Sequence, residues 1–307
     1  MRKVVFMGTP DYATCILQEL LTCSDFEVVL LVTQPDKPAG RGQSLTPPHI
    51  KQWVLENKIS IDIYQPTSLK IQEAQERIAQ AKADFIVVAA YGQILPLQIL
   101  QLAPCINLHA SLLPKYRGAS PIQSAILHNE TFSGVTAMLM QEGLDSGDML
   151  GFSYVKLDPH VRVETLFATL AICAAKLTVK TLKNFHNIEA LQQNKLAISY
   201  AKKIQKTDGL VDLSNEKACD IYTKFRAFDP WPGIFLSSGL KLKQIKPSHV
   251  KAKWSAGMIQ EICPTSLQLT CKEGCLEIIS VQPTSKKQMN SVDYARGKRL
   301  ECGNPLV

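Results

Sequence analysis

The sequence of 307 residues has no uninterrupted run of about 18 apolar residues, the length that a membrane-spanning helix needs. The apolar run near the N-terminus, within MRKVVFMGTPDYA, is too short for the hydrophobic part of a secretory signal peptide. The nine cysteines show no metal-binding spacing with histidine, and CKEGC at 271–275 is typical of a hairpin turn between two strands. These absences predict a cytoplasmic protein with no membrane segment and no bound metal.

Two catalytic signatures are also missing. FMGTPD, after the first predicted strand, has one glycine where a dinucleotide-binding fingerprint has three. No serine or cysteine stands in a nucleophile elbow. The sequence therefore argues against a nicotinamide enzyme, and it favours direct attack by a bound substrate over a covalent intermediate.

Excess positive charge is confined to the last third of the chain. Residues 1–200 contain 17 Lys and Arg and 17 Asp and Glu, whereas residues 201–307 contain 17 basic and 10 acidic residues. The whole net charge of +7 thus lies after residue 200. Concentrated positive charge fits a polyanionic partner, although charge alone fits a merely basic surface equally well.

The order of apolar segments predicts an α/β fold in two domains. Over residues 1–189, continuous apolar strands such as KVVFM, VVLLVT and DFIVVAAYG alternate with helical patterns. This arrangement predicts a Rossmann-like, mainly parallel sheet with helices on both faces. A polar, lysine-bearing stretch at 190–206 predicts a linker. Short strands separated by Gly, Pro and Ser predict a small OB-like β-barrel over residues 207–307.

One predicted strand, in CINLHASLLPKYRG at 105–118, carries polar groups on one face. Because side chains alternate along a strand, Asn107, His109 and Ser111 point the same way. The strand GVTAMLMQ is followed by the acidic loop EGLDSGDM, from which Asp145 or Asp148 reaches His109 if the two strands are neighbours. An amide, an imidazole and a carboxylate together can stabilise an oxyanion and move a proton. The alternative is that His109 is a satisfied core residue.

These stretches resemble a known family. NLHASLLPKYRGASPI and EGLDSGDML closely resemble the two signatures of enzymes that transfer a formyl group from 10-formyltetrahydrofolate. FMGTPDYA, TQPDKPAGRGQSLTPPHIK and FRAFDPWPG are similar to the methionyl-tRNA formyltransferase family within that group. The resemblance runs from the first strand into the C-terminal domain, so it covers nearly the whole chain.

The resemblance implies roles for individual residues. Asn107, His109 and Asp145 match the catalytic trio of the family. The implied folate-binding residues are the turn Ser111, Leu112, Leu113 and Pro114, together with Ile86, Val88, Tyr91, Gly92 and Ile94. The implied contacts to methionyl-tRNA are Tyr12, where the family usually has phenylalanine, and the loop PDKPAGRGQSL, with Arg41 as its key cation and Lys37 beside it. The positive charge of the last third adds candidates for phosphate contacts, namely Lys202, Lys203, Lys206, Lys241, Lys243, Lys246, Lys251 and Lys253.

The implied reaction is formyl transfer from 10-formyltetrahydrofolate, as a cosubstrate, to the α-amine of initiator methionyl-tRNA for translation initiation. We expect a monomer in the cytoplasm, with the basic C-terminal domain binding tRNA. One alternative is another folate-dependent formyltransferase or a formyltetrahydrofolate hydrolase. The hydrolase carries an extra N-terminal domain, whereas this chain begins with the first strand. The other alternative is a non-catalytic tRNA-binding protein on the same scaffold.

Overall fold

The computed structural model describes residues 1–39 and 44–306. The chain divides into two compact units. The first comprises Met1–Ile122, Thr131–Leu157 and Thr165–Lys202, and the second comprises Gln123–Glu130, Asp158–Glu164 and Lys203–Val307. The segment 190–202, most of the predicted linker, therefore lies in the first unit, and the domain boundaries given above stay predictions.

The first unit is built on a sheet of seven strands. Its strands and those of two small ribbons are β1 (Arg2–Gly8), β2 (Phe26–Val32), β3 (Lys37–Ala39), β4 (Ser44–Thr46), β5 (Ile63–Tyr64), β6 (Phe85–Ala89), β7 (Cys105–His109), β8 (Arg117–Gly118), β9 (Phe132–Leu139), β10 (Met149–Lys156) and β11 (Tyr200–Ala201). The order in the main sheet is β10-β9-β7-β6-β1-β2-β5. The strands from β7 to β5 pair in parallel, whereas β9 at one edge pairs antiparallel with both β7 and β10. The predicted mainly parallel, Rossmann-like sheet is confirmed.

The central strands are apolar because both of their faces are covered. All five residues of β6, FIVVA, are buried, as expected for a strand in the middle of a parallel sheet. The helices that connect the strands are α1 (Asp11–Thr22), α2 (His49–Glu56), α3 (Gln72–Gln80), α4 (Leu97–Leu100), α5 (Pro121–Leu127) and α6 (Val163–Asn184). The two small ribbons pair β3 with β4 and β8 with β11.

The second unit contains an antiparallel sheet. Its elements are α7 (Ala218–Phe228), β12 (Ile234–Phe235), β13 (Lys241–Ser248), β14 (Ile259–Ile262), β15 (Leu267–Thr270), β16 (Cys275–Gln282), β17 (Met289–Asn290) and α8 (Ser291–Lys298). The strand order is β12-β13-β16-β15-β14, with β17 also paired to β16. The pairings among the described strands do not join the two edge strands, so closure into an OB-like barrel stays a prediction. CKEGC forms the predicted turn between β15 and β16, where Cys271 N donates to Gly274 O over 3.0 Å.

Helix α6 with its 3-10 extension, Val163–Asn187, is long and apolar enough by length and composition to cross a membrane. Half of its most apolar stretch is buried inside the protein. A helix of a protein core passes the same test, so this finding alone is weak evidence for a membrane span.

Candidate active site

Strand β7 presents the predicted catalytic amide and imidazole. It pairs in parallel with β6 and antiparallel with β9, in a register that sets Asn107 opposite Met138 and His109 opposite Thr136. Because β7 lies between two strands, its backbone direction is fixed by hydrogen bonds on both sides. Asn107 is half-buried and His109 is only 6% exposed. The strand therefore holds the two side chains at fixed positions on one face.

Asp145 meets both of these residues. Asn107 Nδ2 donates to Asp145 Oδ1 over 3.3 Å, and His109 Nδ1 lies 3.6 Å from Asp145 Oδ2. The N–H of Gly118 donates to the same Oδ2 over 2.8 Å. The three predicted catalytic side chains thus come together in the structure, with Asp145 at their centre.

Only glycine fits at position 118. Its φ is +118°, and an added Cβ would lie 2.6 Å from the carbonyl oxygen of Ala201. A side chain would therefore clash with the backbone of β11 and would strain the local conformation. The glycine lets its N–H approach the Asp145 carboxylate closely.

The second ring nitrogen of His109 is also engaged. His109 Nε2 lies 2.9 Å from the carbonyl oxygen of Tyr116. Because a carbonyl oxygen only accepts, Nε2 is the donor in this contact. No pattern in the sequence singles out Tyr116, which is buried and has a φ of +61°.

The turn after β7 is held by a hydrogen bond within it and by a hydrogen bond to β9. Ser111 Oγ donates to Lys115 O over 2.7 Å, and Thr136 Oγ1 accepts from Leu113 N over 3.0 Å. Ser111 and Leu113 are buried, whereas Leu112 and Pro114 are partly exposed. Among the predicted folate-binding residues of this turn, Leu112 and Pro114 are thus the two with side-chain surface for a ligand.

The remaining predicted folate-binding residues fall into two groups. Ile86, Val88 and Tyr91 belong to a hydrophobic core cluster and are 5% exposed or less. Gly92 is exposed, and Ile94 is 83% exposed. The first group has almost no side-chain surface to offer a ligand, so a folate contact there would have to use the backbone. Their assignment stays a prediction.

Tyr12 lies in the interior rather than at an open surface. It is 3% exposed, its ring packs edge-on against Phe167 at 5.7 Å, and its hydroxyl donates to Leu108 O over 3.2 Å. Burial raises the pKa of the Tyr12 phenol, so the hydroxyl is a neutral donor. The hydroxyl that distinguishes Tyr12 from phenylalanine is therefore bonded to the backbone of β7, between Asn107 and His109.

Three side chains secure the base of the hairpin β3–β4. Lys51 Nζ donates to Asp36 and, over 2.7 Å, to Gln65 Oε1, while Gln65 Nε2 donates to Asp36 Oδ1 over 2.7 Å. Lys37, the next residue, is exposed. Arg41, predicted as the key cation of this loop, lies outside the described residues.

The predicted phosphate contacts differ in their surroundings. Lys202, Lys203 and Lys206 are exposed, as are Lys241, Lys246, Lys251 and Lys253. Lys243 is half-buried, and its Nζ lies 3.7 Å from Asp229 Oδ1. Lys243 is therefore partly neutralised, and the seven exposed lysines are the better candidates.

Within the described ranges, no group of three or more His, Cys, Asp and Glu side chains is placed to hold a metal ion.

One residue beside the candidate site, Gln193, is not among the predicted site residues. It is buried and donates to the carbonyl oxygens of Asp145 and Gly147. No local pattern singles it out, because it stands in the polar run QQN that predicts a linker.

Comparison with known proteins gives consistent results. The formyl transferase family model matches residues 1–182, and the model of the formyl transferase C-terminal domain matches residues 203–299. A protein of Nitratiruptor sp. named methionyl-tRNA formyltransferase is 53% identical over 98% of this chain and 99% of its own length. The protein of the same name from Campylobacter lari is 49% identical over the full length of both chains.

Solved structures show a similar fold at low identity. HypX from Aquifex aeolicus, in complex with tetrahydrofolic acid, has a TM-score of 0.64 and 14% identity, and the match covers 96% of this chain and 47% of HypX. An N-formyltransferase from Helicobacter canadensis has a TM-score of 0.64 and 16% identity, with 91% and 99% of the two chains covered. These likenesses bear on the fold alone.

Proposed function

The chain belongs to the methionyl-tRNA formyltransferase family, and we propose that Asn107, His109 and Asp145 carry out the transfer that defines it. The enzyme moves the formyl group of 10-formyltetrahydrofolate to the α-amine of methionyl-tRNA for translation initiation, as the resemblance implied. The observation that supports the roles of the three residues is their convergence on the Asp145 carboxylate.

The donors available at this point suit a developing oxyanion. Asn107 Nδ2 carries two N–H groups, of which Asp145 accepts one, and the residue is half-buried rather than sealed. In the proposed mechanism the neutral α-amine attacks the formyl carbon, and Asn107 donates its other N–H to the formyl oxygen. An oriented donor of this kind is usually worth about 10²–10³ in rate.

His109 would supply the second donor. In the structure its Nε2 is bonded to Tyr116 O, so donation to the formyl oxygen requires that bond to be exchanged. Asp145 orients the ring from the side of Nδ1. Together they move the proton lost by the attacking amine to the departing nitrogen of the folate, directly or through a water molecule.

The tRNA contacts are assigned to lysine and arginine side chains. Lys37 and Arg41 would meet the acceptor stem, and Lys202, Lys203 and Lys206 would meet phosphates, with the basic C-terminal domain continuing the contact. We also assign the enzyme to the cytoplasm as a monomer, with domains at 1–189 and 207–307. Because phosphate contacts release counterions, binding of methionyl-tRNA is expected to weaken steeply as salt rises, and a flat response would contradict this assignment.

The test of the catalytic roles is a formylation assay with 10-formyltetrahydrofolate and charged methionyl-tRNA, in which formyl-methionine is measured. We expect the wild-type chain to form it, and Asn107→Ala to be at least about 10²-fold slower. The matched control is Asn184→Ala, at an exposed position at the end of α6. Near-normal turnover by Asn107→Ala would overturn its role.

The same assay separates the alternatives. A hydrolase would release formate without methionyl-tRNA, an enzyme for another amine would leave methionyl-tRNA unformylated, and a non-catalytic protein would bind tRNA without turnover. Each of these outcomes would contradict formyl transfer to methionyl-tRNA by this chain.

A further inference from the structure

Gln193 lies at the centre of a buried polar contact beside the proposed catalytic aspartate. Its Oε1 accepts from Arg117 Nε over 3.0 Å and from Arg117 Nη2 over 2.8 Å. Its Nε2 donates to Asp145 O over 2.9 Å and to Gly147 O over 2.7 Å. Gln193 is 9% exposed and Arg117 is 8% exposed.

The four contacts use the whole hydrogen-bonding capacity that a glutamine amide offers in this geometry. The oxygen faces a fork of donors and the two N–H groups face two acceptors, so a flipped amide would set donors against donors. Glutamate would keep the contact to Arg117 but would set a carboxylate against two carbonyl oxygens. An apolar side chain would leave the buried guanidinium and both carbonyls without partners, which is costly.

The segment that carries Gln193 is fixed on both sides. Before it, Leu191 exchanges two backbone hydrogen bonds with Met149, at 2.8 and 2.9 Å. After it, Tyr200–Ala201 pairs in parallel with Arg117–Gly118. These contacts hold the Gln193 amide against the acidic loop EGLDSGDM. The backbone of that loop is tightly packed at Gly147, because a Cβ added there would lie 1.8 Å from Leu139 O.

We propose that Gln193, with Arg117, is a positioning residue that fixes the backbone of the Asp145 loop and so holds the Asp145 carboxylate against His109 and Asn107. The inference rests on the proposed role of Asp145. Gln193 fixes the main chain of this residue, while Gly118 fixes its carboxylate. A misplacement of a catalytic group by about 1 Å can cost about 10²-fold in rate.

The test compares Gln193→Met, which keeps the side-chain length and removes the four hydrogen bonds, with Gln192→Met at the adjacent exposed position. Single-turnover rates are measured with the enzyme in excess, along with the KM for each substrate. We expect Gln193→Met to lower the rate at least tenfold with both KM values within about twofold, and Gln192→Met to change neither.

A double-mutant cycle separates positioning from general loss of structure. In an Asp145→Asn background, Gln193→Met is expected to add less than about a twofold further loss, because it acts through the same carboxylate. An equal loss in both backgrounds, or full activity of Gln193→Met, would overturn the proposal. If Gln193→Met does not fold, Gln193→Glu keeps the contact to Arg117 and must show the same loss of rate; full activity of Gln193→Glu would overturn the proposal equally.

The outcome for Asp145 is read separately. If Asp145→Asn itself keeps normal turnover, the proposed function of the trio fails and the inference fails with it. If Asp145→Asn is slow but Gln193→Met is not, the inference alone fails.

Discussion

His109 Nε2 lies 2.9 Å from the carbonyl oxygen of Tyr116, and this bond determines how the imidazole is presented. A carbonyl oxygen only accepts, so Nε2 is the donor in this contact. Tyr116 adopts a left-handed backbone with a φ of +61°, a conformation that costs a bulky residue about 1–3 kcal/mol. Its N–H donates to Ser199 Oγ over 2.9 Å. The tethered Tyr116 carbonyl thus orients the ring through Nε2, while Nδ1 faces the Asp145 carboxylate.

Replacing His109 by alanine is expected to lower the formylation rate by at least about 10²-fold, because it removes a donor to the formyl oxygen and the partner of Asp145. The measurement is kcat with saturating methionyl-tRNA and formyl donor, together with circular dichroism to verify folding. His186→Ala is the matched control, since His186 is exposed in a 3-10 turn. A folded His109→Ala variant with normal kcat would remove this residue from the mechanism.

Tyr12→Phe tests whether the additional hydroxyl takes part in methionine recognition. Because the hydroxyl is bonded to Leu108 O, its loss is expected to lower the free energy of unfolding by about 1 kcal/mol. The KM for methionyl-tRNA should stay within about twofold, because a hydroxyl bonded to Leu108 O does not bind the substrate. Urea unfolding and steady-state kinetics measure the two quantities. A tenfold change in KM with unchanged stability would show that the hydroxyl meets the substrate instead.

Gly118→Ala tests the tight approach of β8 to β11. The φ of Gly118 is +118°, and the added Cβ would lie 2.6 Å from Ala201 O, so we expect the variant to be destabilised by about 1–3 kcal/mol. Turnover should fall as well, because the Gly118 N–H that binds Asp145 is displaced. Gly297→Ala, in α8, should instead gain about 1 kcal/mol, because an added Cβ there would meet no heavy atom within 4 Å outside its own helix backbone. Equal stability of the two variants in urea would contradict this interpretation.

Part of the site follows from sequence pattern alone. The alternation along Cys105–His109 predicts that Asn107 and His109 share a face, and the structure places both beside Asp145. The pattern carries this information because side chains alternate strictly along a strand. The buried strands of the main sheet were predictable for a similar reason, since continuous apolar runs indicate strands covered on both faces.

The path by which Asp145 arrives was not predictable. Strand β9 runs antiparallel to β7 and pairs its end, Leu139, with Ile106, so the acidic loop starts near the beginning of β7. The acidic loop must fold back for Asp145 to reach His109. Hydrogen bonds from Gly118 and Gln193 to Asp145 hold the loop in this position. Such contacts join residues far apart in the sequence, and neither periodicity nor composition records them.

The start of helix α1 shows a similar long-range effect. Thr9 stands just before the helix, where a hydroxyl commonly caps, yet Thr9 Oγ1 donates to Tyr91 O over 3.1 Å and Pro10 occupies the capping position. A hydroxyl next to a helix start has a choice of partners. Here the Thr9 hydroxyl binds the carbonyl of Tyr91, just after β6, instead of an N–H of the helix. Only the assembled sheet brings that carbonyl near Thr9.

The contacts of Asp36 predict a pH-dependent contribution to stability. Hydrogen bonds from Gln65, the larger effect, and from Lys51 lower the pKa of the Asp36 carboxyl from its ordinary value. A lowered folded-state pKa means that the stabilisation is complete above the unfolded-state value, about 3.9, and is lost as the pH falls through the lower folded-state value. Asp36→Asn should therefore be less stable than the wild type at pH 7.

That stability gap is expected to shrink as the pH falls below about 4, because the wild-type carboxyl then becomes protonated as well. Urea unfolding of both proteins at pH 7, 5, 4 and 3 measures it. Glu189→Gln, at an exposed position, is the control for removal of a carboxylate and should show no such gap at pH 7. A difference in the free energy of unfolding that stays constant or widens on acidification would mean that the shape of the Asp36 side chain, rather than its charge, stabilises the fold.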